Sequence, residues 1–295
     1  MTGFTDLFWT SGEGLPLHAR DYAPIDAPTG LPVICIHGLT RNARDFEDLA
    51  PMIAAKGRRV LAVDVRGRGL SARDPQPMNY QPGTYAGDIV ALLAATGIER
   101  AVFVGTSMGG LITLVLAAFK PEAIAAAVLN DVGPELSPVG LARIAGYAGG
   151  ATRFETWPDA VAYARSINAA ALPDYGDADW DIFARRLFDE TDGGFVLAYD
   201  PDIAAPIKAA AAAGEEGGSA LAPDMYPLFR ALTKDRQVLL VRGGISDLID
   251  PPIVERMCAA APDMAVAEVP GVGHAPMLTE PEAWSAISDL LDRAP

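Results

Sequence analysis

From residue 31 onward the chain alternates short, unbroken apolar runs with longer stretches in which apolar residues recur every three or four positions. Runs without polar interruption read as strands buried on both faces, and the longer spacing reads as helices laid over them. Residues 31–36 form one such run, closed by His37-Gly38, and residues 60–65, broken only by Asp64, form the next. Between them Phe46, Leu49 and Ile53 fall at helical spacing, with Pro51 opening a short helical piece and Gly57 ending it. Ile89, Leu92 and Leu93 share one face of the following helix, which Gly97 stops before a strand over residues 101–104. Residues 111–119 are apolar but for Thr113 and predict a buried helix, and residues 125–129 predict a further strand, broken by Asn130-Asp131-Val132-Gly133-Pro134. This alternation predicts an α/β fold: a mostly parallel central sheet flanked by helices.

The texture changes at residue 134. Up to residue 232 the chain carries helical pieces, prolines and aromatics such as Tyr147, Phe154, Trp157, Tyr163, Trp180, Phe183 and Phe188, with no strand series. An alanine tract over residues 209–213 runs into Gly214-Glu215-Glu216-Gly217-Gly218, the composition of a flexible break. Strand patterns return at residues 238–241 and 265–269, and residues 284–291 predict a closing amphipathic helix. The sheet therefore straddles an insertion. The expected organisation is a core of residues 1–133 and 233–295, with residues 134–232 as a mainly helical cap.

Composition narrows the partners more than the chemistry. A chain of 295 residues that is half hydrophobic can bury a large core. Its net charge of −15 argues against nucleic acid and anionic membrane surfaces as partners. Cys35 and Cys258 lie far apart in sequence and suggest neither a disulfide framework nor a metal site, so both are expected to be buried, inert thiols. The start, Met1-Thr2-Gly3-Phe4-Thr5-Asp6, lacks a basic segment followed by an apolar core, and no run is long enough to span a bilayer. The expectation is a cytoplasmic protein, monomer or homodimer, that acts on a small molecule without metal or organic cofactor.

The candidate chemistry centres on Gly105-Thr106-Ser107-Met108-Gly109-Gly110, which places one serine between a strand and a helix. A serine on so sharp a turn projects its hydroxyl above the sheet as a nucleophile elbow, though a serine before a helix can also be only an N-cap. A serine hydroxyl attacks at neutral pH only if a base takes its proton. Of three histidines, His18 lies in the amino-terminal segment and His37 at a strand end, whereas His274 sits in Gly271-Val272-Gly273-His274-Ala275-Pro276 just past the last strand. His274 is the expected base.

The imidazole needs a carboxylate to hold its tautomer and stabilise its charged form. Asp247, in Gly243-Gly244-Ile245-Ser246-Asp247, is the favoured candidate, and Asp131, after the strand that follows the serine, is the alternative. Both fall at carboxyl ends of strands, where active sites of parallel sheets gather. Asp250, before Pro251-Pro252, reads as a helix N-cap. The backbone N–H groups of Leu39 and Met108 are the candidate donors to an oxyanion, with His37 in a supporting role. Asp64-Val65-Arg66-Gly67-Arg68-Gly69-Leu70-Ser71 is too short in glycines for a dinucleotide fingerprint and reads as a turn held by Asp64 and the arginines. Arg41, beyond the expected oxyanion loop, reads as a solvated surface arginine, with recognition of a substrate carboxylate as its alternative role.

Taken together, His37-Gly38-Leu39-Thr40, the elbow, Ser246-Asp247, Gly273-His274 and the turn from Asp64 to Ser71 resemble, in this order, the cap-bearing serine hydrolases of the α/β-hydrolase superfamily. The resemblance covers nearly the whole chain. It implies a triad of Ser107, Asp247 and His274 and an acyl-enzyme route. Carboxylesterases, lactonases, carbon–carbon bond hydrolases and cofactor-free haloperoxidases share this pattern, whereas epoxide hydrolases and haloalkane dehalogenases carry aspartate at the elbow. The loop after His37-Gly38 lacks the Ser-Gly-Pro-Gly continuation of ring-cleavage-product hydrolases. The expected activity is that of a carboxylesterase acting on a small to medium hydrophobic or aromatic ester. Carbon–carbon cleavage or lactone opening on the same residues, or a non-catalytic small-molecule receptor, are the alternatives.

Overall fold

The computed structural model describes residues 3–150, 153–212 and 224–295. The chain runs through β1 (Thr5–Thr10), β2 (Pro16–Tyr22), β3 (Val33–Ile36), α1 (Leu49–Ala54), β4 (Val60–Asp64), α2 (Pro82–Thr96), β5 (Ala101–Thr106), α3 (Met108–Phe119) and β6 (Ile124–Asn130). It then leaves the sheet for α4 (Pro138–Tyr147), β7 (Arg153–Phe154), α5 (Trp157–Asn168), α6 (Asp177–Leu187), β8 (Phe188–Thr191), β9 (Gly194–Leu197) and α7 (Ala205–Ala212). It returns through α8 (Tyr226–Thr233), β10 (Gln237–Gly243), α9 (Pro251–Ala260), β11 (Ala265–Val269) and α10 (Pro281–Arg293).

Eight strands form one sheet in the order β1-β2-β4-β3-β5-β6-β10-β11. The pairings of β1 with β2 and of β2 with β4 are antiparallel, and all others in this sheet are parallel. The unbroken apolar runs are explained by burial on both faces, because alternate residues of one strand enter two different apolar layers. Ile34 and Ile36 pack with Ile89, Leu92, Ile112 and Leu116 of α2 and α3. Val33 and Cys35 face the other way, toward Leu49, Ile53, Ile287 and Leu290 of α1 and α10. Asp250 caps α9, its carboxylate accepting the Ile253 N–H at 2.9 Å. Cys35 is fully buried, and burial pushes its thiol pKa up, while Cys258 is only partly buried; both are unpaired thiols.

The segment between β6 and β10 is mainly helical, as expected, and adds a small antiparallel sheet of β7, β9 and β8 that the sequence reading did not mark. Its β8–β9 hairpin turns on Asp192-Gly193, with Thr191 opposite Gly194, the two-residue loop that an Asp-Gly pair favours. The expected limit at residue 232 also cuts through α8, which packs on α3 with Phe229 and Leu232 buried. The break over residues 214–218 lies outside the described residues.

The strands β1 and β2 have no unbroken apolar run because polar residues alternate with those facing the core: Leu7, Trp9, Leu17 and Ala19 point inward, while the opposite face carries exposed Phe8 on the edge strand β1 and buried His18 and Tyr22 on β2. Between them and β4 sits His18, 1% exposed, with Nδ1 2.7 Å from Asp64 and Nε2 2.9 Å from Asp6. Burial opposes its charge, but the two carboxylates outweigh burial and raise its pKa above the usual 6.5. A raised folded pKa gives stability that is complete below the unfolded value and is lost as pH rises through the folded one. Stability is therefore expected to fall as the pH rises above the ordinary histidine range of about 6.5 and through the raised folded value, and thermal unfolding of His18→Gln should show a flatter dependence. Parallel slopes in the two proteins would contradict this assignment.

Candidate active site

Ser107 stands between β5 and α3 at φ 51° and ψ −115°, a strained conformation for a residue with a Cβ. The tight packing around it explains its two flanking glycines. A Cβ on Gly109 would lie 2.0 Å from the Ile36 carbonyl oxygen, and one on Gly105 would lie 2.5 Å from the Gly109 and Gly110 backbone. The Ser107 hydroxyl does not cap α3. It lies 2.9 Å from Nε2 of His274, on the loop after β11.

The other nitrogen of that ring, Nδ1, lies 2.8 Å from Oδ2 of Asp131. Asp131 follows β6, is fully buried, and takes a left-handed backbone conformation with φ 53°. Its Oδ2 also accepts the Ser246 hydroxyl at 2.5 Å, and its Oδ1 accepts the Gly243 N–H at 2.9 Å. An acceptor-only carboxylate facing Nδ1 selects the tautomer with a proton on Nδ1, which leaves Nε2 free to accept from Ser107.

Asp247, the favoured candidate from sequence, makes no hydrogen bond to the imidazole. Its carboxylate is bound by Arg143 of α4, with Nε at 2.6 Å and Nη2 at 2.8 Å. These hydrogen bonds hold its pKa below the usual carboxylate range. The physical reason is loop length. β6 lies next to β5 in the sheet, so the residue directly after β6 falls beside His274, whereas four residues beyond the end of β10 carry Asp247 out to the inserted segment. Ser246, one position earlier, is the member of that loop that reaches the buried carboxylate.

The loop after β3 borders the same cavity as the serine and is pinned by hydrogen bonds. His37 is buried, its Nδ1 donates to the Gly38 carbonyl at 2.7 Å, and its Nε2 accepts the Val65 N–H at 3.1 Å. Burial lowers its pKa to about 4, so it remains neutral over the physiological range. With the Gly38 carbonyl fixed, the Leu39 N–H of the same planar trans peptide must point the opposite way. Arg68, buried beneath this loop, donates from Nε to the Leu39 carbonyl at 3.0 Å and packs on Met108. Met108 opens α3, where an N–H has no acceptor within its own helix. Among the described residues neither the Leu39 nor the Met108 amide has a protein acceptor. The sequence reading gave Arg68 only a part in holding its own turn; its support of the Leu39 loop had no local signal.

Arg41 is not a solvated surface residue. Its side chain is 13% exposed, is paired with Asp45, and lies over the Phe183 ring at 4.1 Å, within the wall of the cavity that holds Ser107 and His274. Two chambers meet at the serine. The smaller, about 80 Å³, is lined by His274, Arg41, Tyr147 and Asn168, and the larger, about 360 Å³, by Met108, Leu111, Val132, Tyr85 and Ile207. Ser107, Leu39 and Ile144 border both.

A family model described as the alpha/beta hydrolase family matches residues 33–287, and the chain belongs to that family of hydrolases. It is 34% identical to a 3-hydroxybutyrate-oligomer hydrolase of Cupriavidus necator, over 84% of each chain. It is 30% identical to a 2-(acetamidomethylene)succinate hydrolase of Mesorhizobium japonicum, over 88% of this chain and 87% of that one. The crystal structure of an alpha/beta hydrolase from Novosphingobium aromaticivorans superposes with a TM-score of 0.88 at 45% identity, over 99% of each chain.

Proposed function

We propose that this chain is a serine hydrolase that cleaves carboxylic esters through an acyl-enzyme. The observation that carries this reading is the continuous hydrogen-bond chain from Ser107 through His274 to Asp131, set beside two unpartnered amides. Ser107 Oγ attacks the acyl carbonyl while its proton passes to His274 Nε2, and Asp131 stabilises the imidazolium that forms. The Leu39 and Met108 N–H groups hold the oxyanion. Its collapse breaks the carbon–oxygen bond of the ester, and His274 returns the proton to the departing alkoxide. Water then repeats the sequence in reverse, releasing the acid and restoring the serine. The segment between β6 and β10 acts as a cap over the site.

One relative supports the ester reading, since it is named for an oligomer of a hydroxy acid, whose units are joined by ester bonds. The other is named for an acetamidomethylene succinate, which carries an amide and no ester bond. A phosphonate or sulfonyl fluoride probe is expected to add one equivalent to the chain, located at Ser107, and none to Ser107→Ala. Absence of an adduct in the unaltered protein would overturn the proposal and favour a receptor on the same fold. Aryl esters, lactones and vinylogous diketones assayed side by side then separate ester cleavage from lactone opening and carbon–carbon cleavage.

A further inference from the structure

Resting on that ester reading, we infer that the two chambers divide the substrate at its scissile bond: an apolar acyl group fills the larger one, and an alcohol bearing a carboxylate fills the smaller one beside Arg41. The assignment of halves follows from where the proton must go. In a tetrahedral intermediate the oxyanion faces the two amides, so the leaving oxygen must lie toward His274, which returns the proton to it, and the acyl substituent takes the remaining direction. His274 lines only the smaller chamber, and Met108 lines only the larger one. The alcohol therefore enters the chamber of Arg41 and the acyl chain enters the chamber walled by Leu111, Val132 and Ile207.

The chemistry of the two walls differs accordingly. The larger chamber presents almost only aliphatic and aromatic carbon, which favours an acyl group without charge. In the smaller one, Asp45 occupies the Nε and Nη2 edge of the Arg41 guanidinium. Among the described residues, Nη1 has no hydrogen-bond partner. Stacking on Phe183 and the grip of Asp45 fix the orientation of the guanidinium, so its free end is already set to receive an anion and loses little freedom on binding. Asp45 keeps the pair near neutral, which suits a monoanion of modest size better than a highly charged group.

The test compares three small esters in the unaltered enzyme, following release of product acids and alcohols. They are 3-butyryloxypropanoate, its uncharged primary amide 3-butyryloxypropanamide, and monobutyl succinate, which places the carboxylate on the acyl half. The free acid is expected to exceed the amide in kcat/KM by about tenfold or more, a difference of about 1.4 kcal/mol, and monobutyl succinate is expected to be the poorest of the three. In Arg41→Gln the acid-to-amide ratio should fall to about one, chiefly through a higher KM for the acid. Turnover of these esters with an acid-to-amide ratio of one or less in the unaltered enzyme would overturn this inference alone, as would a ratio that survives Arg41→Gln in a folded variant. No turnover of these esters or of a neutral aryl butyrate would overturn the ester reading with it.

Discussion

Asp131→Asn is expected to lower kcat on an aryl ester by about 10⁴-fold, while Asp247→Asn causes no comparable loss. The difference rests on what converges on Asp131. The His274 ring nitrogen, the Ser246 hydroxyl and the Gly243 N–H all donate to its two carboxylate oxygens. An asparagine offers one oxygen and one NH₂ group, so at least one of these donors loses its acceptor. If the NH₂ group faces His274, Nδ1 becomes the acceptor and the ring proton moves to Nε2. Nε2 can then no longer take the proton of Ser107. Asp247, by contrast, loses only the charge that holds Arg143. A steady-state comparison of the two variants decides the matter, and a large loss in the Asp247 variant with little in the Asp131 variant would reverse the assignment.

The second large effect is on stability. Arg66→Met is expected to destabilise the fold by about 3–5 kcal/mol in chemical denaturation. Arg66 is 1% exposed and holds three carboxylates at once: Asp88 by two bonds of 2.6 and 2.7 Å, Asp74 at 2.5 Å and Glu13 at 3.0 Å. Burial opposes its charge, yet these partners raise its pKa above the usual value. Removing the cation leaves Asp74 and Asp88 buried with no counter-charge, and that desolvation cost exceeds anything a methionine side chain recovers by packing. The site would feel it as well, because the Arg66 carbonyl accepts from Arg68 at 2.8 Å, and Arg68 supports the Leu39 loop. A loss below about 1 kcal/mol would show that the network contributes specificity of structure rather than stability.

Most of the parallel sheet was legible because burial on both faces leaves a largely apolar signature in β3, β4, β5, β6 and β10, while β11, a mostly exposed edge strand, falls on the short strand pattern over residues 265–269. β1 escaped notice because one covered face gives only a two-residue alternation, and β2 because its second buried face is occupied by the polar His18 and by Arg20 before Tyr22. In the segment between β6 and β10, the Asp192-Gly193 hairpin was readable by its turn chemistry but hidden among aromatics that the reading gave to helices. Ser107 and His274 carried local signatures, a glycine-flanked turn and a glycine-flanked loop past the last strand. The carboxylate did not. Choosing between Asp131 and Asp247 requires knowing which strand lies next to the serine and how far each loop extends, and both are properties of the assembled sheet. Arg41 was misplaced for the same reason, because the Phe183 ring that covers it comes from 142 positions away in the sequence.

The bridge from Arg143 to Asp247 also bears on how such a chain can diversify. The groups assigned to bond making and proton transfer hang from the ends of β5 and β6 and from the loop after β11, and none belongs to the residues between α4 and α7. That inserted stretch is fastened to the core by several ion pairs, Arg143 with Asp247, Arg186 with Glu47 and Asp48, and Asp189 with Arg44, none of which involves Ser107, His274 or Asp131. Substitutions within it can therefore accumulate under selection for a new molecule while the reacting groups keep their geometry. Its sequence is the place to look for divergence in preference among descendants of a common ancestor.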